Sequence, residues 1–263
     1  MDKTLFLYLD FLGFRDLIEL PPTIRKLFSV LDSCNIHEDS AYRTIVFSDT
    51  LLAYNTAPGI SRSPYSSELM MLIEFVQDIT HRLTGSGIFF RALIQYGEFE
   101  HERLENIDAY FGKALISCYD HESKLKGSGL FIQSSLIPYD KVFKSVPFSS
   151  EYHFSFLAYD LIRATVWGGE YPLPEEVIGW REASIEDRVL SQVDYLRAIW
   201  EATFHAKPAV RSIYLNTWAM YEQNYGDLTA VLKNSNFNPA ALCDIDWNPA
   251  RESLNESKQW WQQ

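Results

Sequence analysis

The chain has 263 residues, 47% hydrophobic and 22% charged, with aromatics at 15%; these are globular values that exclude a disordered or collagen-like protein and leave room for one large domain or a domain with an appendage. A formal net charge of −12 argues against a general binder of nucleic acid or of an anionic membrane, while a local pocket for a phosphorylated small molecule stays compatible with it. Three cysteines, Cys34, Cys118 and Cys243, are odd in number and far apart, so neither a disulfide framework nor a zinc site is expected, and the expected location is the reducing cytoplasm.

In chain order, Leu5 to Leu9 is a short apolar run that reads as a buried strand ending at Asp10. It lacks the long apolar region and small-residue cleavage site of a signal peptide, and no run approaches the roughly 20 apolar residues of a membrane span. A strand opening almost at Met1 also leads us to expect no N-terminal sensor module. From Gly13 the apolar spacing becomes helical, interrupted by Pro21 and Pro22, so the helix ends before them and restarts, or begins properly at Thr23. "YRTIVFSDTLLAYNT" gives two short strands meeting at Ser48 and Asp49, as in a hairpin. "SSELMMLIEFVQDITHRLTGSG" is a helix with Ser66 or Ser67 as cap and a Gly85-Ser86-Gly87 stop.

"IFFRALIQYGEFEH" follows as a strand with a bend at Gly97, "AYFGKALISCYDHESKLKG" as a helix entered through Gly112, and "SGLFIQSS" as a closing strand. The order β, α, β, β, α, β, then a further helix and strand, predicts a ferredoxin-like α/β (α+β) sandwich with an elaborated end. From about Ser184, a helix cap followed by Asp187, the texture turns helical, with "SIEDRVLSQVDYLRAIWEATF" and "PAVRSIYLNTWAMYEQNYG" as long amphipathic helices. We expect two regions, 1–160 and a helical extension 161–263 packed on the core or on a partner chain, with Trp260 and Trp261 buried in an otherwise polar tail.

Two carboxylates stand out. Asp10 ends a strand and Asp49 sits at a hairpin turn, and neighbouring strands would bring both to one edge of the sheet. Paired acids repel unless a cation neutralises them, and hard divalent metals take oxygen ligands. On spacing alone a plainer account stays open, with Asp10 capping the helix near Gly13 and Asp49 closing a turn. Scattered histidines (His101, His121, His153) show no metal-ligand spacing, Gly85-Ser-Gly87 lacks the lysine of a phosphate loop, and no serine sits in a nucleophile elbow.

The segments "LYLDFLGFRDLI", "TIVFSDTLLAY", "FRALIQYGEF" and "YFGKALISCYDHES", in this order, resemble the catalytic domain of class III nucleotidyl cyclases over about Thr4 to Ser134. "FSDT" and "CYDHES" are similar to the bacterial pyrimidine cyclases of the Pycsar antiphage system. The resemblance implies that Asp10 and Asp49 bind two Mn²⁺ or Mg²⁺ ions together with the Phe11 carbonyl. It also implies that Arg91 contacts the triphosphate and that Phe11, Leu12, Gly13, Phe14 and Thr50 line the nucleotide.

UTP, ahead of CTP, would become the 3',5'-cyclic monophosphate in a homodimer with shared active sites, and a separate effector protein would read the product; nucleic acid and membrane are not expected partners. Where purine cyclases carry a Lys and an Asp that read adenine, this chain has Ile45 and Ala109, although a slip of one residue would bring Asp108 into place; Ile45, Arg43 and Thr50 are positional candidates for reading the pyrimidine. The family's transition-state Asn and Arg fall on Ile116 and Asp120, leaving Lys113, Lys124 or Arg43 to supply positive charge. The alternatives are a purine cyclase and a catalytically inactive interaction module.

Overall fold

The first strand, β1 (Lys3–Leu12), is buried on both faces along its apolar run, with Phe6, Leu7 and Leu9 fully enclosed, which is why "LFLYL" carries no polar alternation. In the computed structural model, which describes residues 3–56, 66–178 and 185–257, two short helices follow it, α1 (Phe14–Ile18) and α2 (Pro21–Asp32). The restart falls at Pro21 rather than Thr23, because a proline in the first turn gives up no hydrogen bond and has its φ already set. Then come β2 (Tyr42–Phe47), β3 (Thr50–Asn55), α3 (Ser66–Leu83) and β4 (Phe89–Glu98). Ser66 is already helical, so it does not itself cap α3.

A small hairpin of β5 (Glu100–Arg103) and β6 (Asp108–Phe111) leads into α4 (Lys113–Glu122) and β7 (Gly129–Gln133), and β8 (Ser145–Pro147) and β9 (Tyr152–Ser155) complete the strands. The large sheet has the order β2-β3-β1-β4-β7-β9-β8, and its first four strands reproduce the expected antiparallel βαββαβ arrangement, with β7 added parallel to β4. The chain is thus mixed α/β, with a mostly antiparallel central sheet.

Two compact units are distinguished, one of Met1–Ile79 and Phe89–Phe156 holding the whole sheet, the other of Thr80–Ile88 and Leu157–Gln263. The second unit is helical: α5 (Tyr159–Gly168), α6 (Glu175–Ile178), α7 (Ile185–Ala202), α8 (Pro208–Asn224), α9 (Gly226–Asn234) and α10 (Asn248–Ser257). Its centre is the apolar stripe of α7, Val189, Val193, Leu196 and Ile199, all buried. The Tyr221 hydroxyl inside this unit accepts the Leu157 amide at 3.2 Å, so its phenol end is not stranded. Ser184, Trp260 and Trp261 lie outside the described residues. Among the described residues no helix is long and apolar enough to cross a membrane.

Gly97 does not bend its strand. It continues β4 and opposes α4, where a Cβ at Gly97 would sit 3.2 Å from the Ala114 Cβ. Two residues before Ala114, Gly112 caps the start of α4 at φ 147°, and a Cβ there would lie 2.2 Å from the Glu98 carbonyl oxygen. Both glycines let the helix lie close to the sheet, so that it runs back along β4 from the Glu98 end toward Arg91. Replacing Gly112 with alanine must therefore move backbone, not a flexible side chain. We expect Gly112→Ala to lower the unfolding free energy by about 2 kcal/mol or more, read as a reduced midpoint in urea.

Candidate functional site

Asp10 stands on β1 in register with Thr50 of β3 on one side and Arg91 of β4 on the other. Side chains alternate across a strand, so Leu7, Leu9 and Phe11 enter one side of the sheet while Tyr8 and Asp10 occupy the opposite one. One residue further, the Phe11 amide donates to the Asp49 carbonyl at 2.8 Å. That bond ties the β2–β3 turn to the end of β1 and sets Asp49 within electrostatic reach of Asp10. Because the N–H and C=O of a strand residue point to the same side, the Phe11 carbonyl also faces this turn. Ser48, the first residue of the two-residue turn, takes φ 56°, the left-handed conformation that hairpin twist favours there.

The geometry separates the two accounts of Asp10. The residue capping α1 is Gly13, at φ 74°, and it makes no side-chain capping bond. A carboxylate that caps a helix is stabilised in its charged form and its pKa falls. That of Asp10 is pushed up to about 7, first by burial, then by the charges of Glu122 and Asp49, with Arg91 offsetting only part. Asp10 is therefore not a cap. Asp49 does close the turn, as the plainer account expected, and it also joins the acidic group.

Glu122 is the residue that sequence reasoning did not place. It ends α4, its carboxyl is close enough to hydrogen-bond Asp10, and it pairs with the Arg91 guanidinium. The signal was present: Ala114 and Cys118 form the buried stripe of α4, and Glu122, one more turn along, continues it. Arg91 is 4% exposed. Its Nε donates to the Gly127 carbonyl at 2.9 Å and its Nη1 to the Glu122 carbonyl at 2.8 Å and to the Glu122 carboxylate. It is an anchored internal cation. The Tyr8 hydroxyl lies 3.5 Å from Thr50 Oγ1, and burial together with Asp10, Glu122 and Asp49 raises its pKa.

The remaining expected residues are more scattered. Leu12 and Gly13 follow Asp10 directly and Phe14 is buried; the Phe11 amide is already engaged by Asp49 and so is not a donor for phosphate. α1 has only five residues, too short for a strong dipole at its start. Lys113 is paired with Glu98 at 3.0 Å, and Asp108 with His101 at 3.0 Å. Arg43, Asp120 and Lys124 are exposed, Ile45 and Ala109 half-buried, and Ile116 is 62% exposed. His121 enters a polar cavity of about 290 Å³ lined in part by Gln95, Ser117, Gln133 and Tyr152, where its Nε2 meets Glu151 at 2.5 Å.

Among the described residues no three His, Cys, Asp or Glu side chains form a ready-made metal cage. The donors around Asp10 are oxygens only, and burial followed by their mutual repulsion holds a proton on Asp10 where a cation would serve as well. This fits a hard divalent ion of the kind held by one or two carboxylates and completed by water and substrate phosphate. It does not fit zinc or another soft metal.

No known family model matches the chain, and no curated protein does. Among solved structures, those similar to it include the guanylate cyclase domain of RhGC from Catenaria anguillulae in complex with GTP, with 14% identity, 59% of this chain and 96% of that one covered, and a TM-score of 0.44. The adenylyl cyclase CyaB from P. aeruginosa is similar at 12% identity over 59% of this chain and 93% of that one, with a TM-score of 0.40. A bacterial light-regulated adenylyl cyclase shows 12% identity over 60% of this chain and 53% of that one, with a TM-score of 0.45.

A carboxyl whose folded pKa is about 7, against an ordinary 3.8, keeps a proton in the folded state that the unfolded chain gives up. The sign follows: stability is highest at low pH and is lost as pH rises through that window. In metal-free buffer, Asp10→Asn should match the wild type in thermal midpoint near pH 4 and exceed it near pH 8. A variant that is weaker at every pH would show Asp10 to be a structural partner instead.

Proposed function

We propose that this chain is a nucleotidyl cyclase that converts a pyrimidine nucleoside triphosphate, UTP ahead of CTP, to its 3',5'-cyclic monophosphate and pyrophosphate. The observation that carries the reading is the tie between β1 and the β2–β3 turn, which gathers Asp10, Asp49 and the Phe11 carbonyl at one end of the sheet. Asp10 and Asp49 would hold two Mn²⁺ or Mg²⁺ ions with the help of that carbonyl. When bound, such ions neutralise phosphate charge and lower the pKa of a hydroxyl.

The reaction joins the ribose 3'-oxygen to the α-phosphorus as the bond to pyrophosphate breaks, and the hydroxyl proton leaves to base or solvent. The chain's own task is placement. Leu12, Gly13 and Phe14 form the turn beneath the phosphates, Gly13 allowing close approach at φ 74°, and Thr50 stands beside Asp10. Ile45 and Ala109 offer a purine edge neither a charged partner nor an acceptor, which favours a smaller base.

In this reading the catalytic domain spans residues 1–160, and 161–263 form the helical extension. A homodimer is supported by the exposed apolar groups of α4, Ile116 and Tyr119, 62% and 71% exposed. The likeness to Pycsar cyclases makes an antiphage second messenger, read by a separate effector, the biological setting, in the cytoplasm.

The test is incubation of the pure protein with Mn²⁺ and each of the four nucleoside triphosphates, followed by separation of the products. Cyclic UMP or cyclic CMP is expected, and Asp49→Asn should reduce its formation by about a hundredfold or more, as loss of a principal electrostatic group does. Cyclic AMP or cyclic GMP as sole product would overturn the pyrimidine assignment. With no product from any of the four, the interaction module indicated by exposed Ile116 and Asp120 at the family's transition-state positions becomes the better account.

A further inference from the structure

Arg91 and Asp10 are cross-strand partners on β4 and β1. Directly opposed side chains on one face of an antiparallel pair have Cβ atoms about 5 Å apart, so an Asp and an Arg so placed are expected to join directly. Here the guanidinium turns to the end of α4, where it bonds the Glu122 carbonyl and carboxylate, while the Gly127 carbonyl holds its Nε. The Glu122 carboxyl in turn reaches Asp10. A buried cation thus stands beside the site, yet a second carboxylate takes up its charge.

The geometry points to Glu122 as a positioning residue that engages Arg91 and so leaves Asp10 open to a divalent cation. Without it, Arg91 would pair with its cross-strand neighbour, and the site would be neutralised from within. Three features support this role. Arg91 is almost fully buried, so no solvent charge competes for it. The side chain of Glu122 is 19% exposed, which keeps the pair strong. The close approach of α4 at Gly97 and Gly112 fixes where the helix ends, and hence where the carboxylate falls. The inference rests on the metal-binding reading of Asp10 and Asp49, but not on which base is cyclised.

The probe is Mn²⁺ alone, its free concentration followed by electron paramagnetic resonance in titrations of the full chain, with Asp49→Asn marking loss of the site. Glu122→Gln keeps the shape of the side chain and removes the charge that competes for Arg91. It should weaken Mn²⁺ binding by about tenfold, as expected when a neighbouring cation pairs with a ligand carboxylate. Adding Arg91→Met to Glu122→Gln removes the competitor and should bring binding back to within about threefold of wild type, since the two positions are coupled. Arg91→Gln replaces Arg91→Met should that pair not fold, and near-ultraviolet circular dichroism checks each variant.

A merely structural Glu122 gives a different pattern, with the double variant as weak as the single or weaker, and that outcome overturns the inference. So does unchanged binding in Glu122→Gln. Wild-type protein that binds no Mn²⁺ overturns the metal site itself and this role with it. Conversely, bound Mn²⁺ with the expected variant pattern but no cyclic product from any triphosphate leaves Glu122 in its role and defeats the cyclase reading alone.

Discussion

A single backbone hydrogen bond, Phe11 amide to Asp49 carbonyl, decides which acids of this chain meet. It extends the β1–β3 pairing one step past its last regular pair, Asp10 with Thr50, and fastens the turn of the neighbouring hairpin there. Without that bond the Ser48–Asp49 turn would be an ordinary surface loop and Asp49 a solvated charge. With it, two acids about forty residues apart in sequence become neighbours, and the strand that supplies one of them is among the most buried in the chain. Strand pairing holds such groups in place better than a loop would.

The acidic group is an unfavourable arrangement for the fold taken alone. Burial raises the pKa of Asp10, and Glu122 and Asp49 raise it further. Two like charges about 4 Å apart cost roughly 4 kcal/mol at an effective dielectric constant near 20. A fold relieves such a cost by keeping a proton, and Asp10 does so up to about pH 7. Features that oppose stability and still persist are found at functional positions.

Much of this was legible in the sequence, for identifiable reasons. Leu5 to Leu9 is too continuously apolar for an exposed strand, although the strand runs on past Asp10 through the buried Phe11 to Leu12. The β2–β3 turn was readable because Ser-Asp interrupts two short apolar runs. The β5–β6 hairpin and the strands β8 and β9 were not read, since they are three or four residues long and their pairing depends on tertiary neighbours. Gly97 was misread as a bend because a glycine in a strand has the same local signature whether the strand turns or a helix approaches it. The Arg91–Glu122 pair was not legible because the two residues are 31 positions apart and no local pattern links them.

That distance explains why α4 matters beyond its own packing. A helix that begins at a glycine pressed against the Glu98 carbonyl has little freedom in where its tenth residue falls. Glu122 and His121 are consecutive, roughly a quarter-turn apart around the helix, and meet different neighbours, one beside Asp10 and the other with Glu151 in the polar cavity. The end of α4 is therefore held at two points, by Arg91 at Glu122 and by Glu151 at His121. Such pinning matters because a pairing choice between two carboxylates for one guanidinium turns on fractions of an ångström, and a loosely held helix would average over both. Since the charge on Arg91 cannot be lost by deprotonation, the fold settles its electrostatics through which carboxylate meets it.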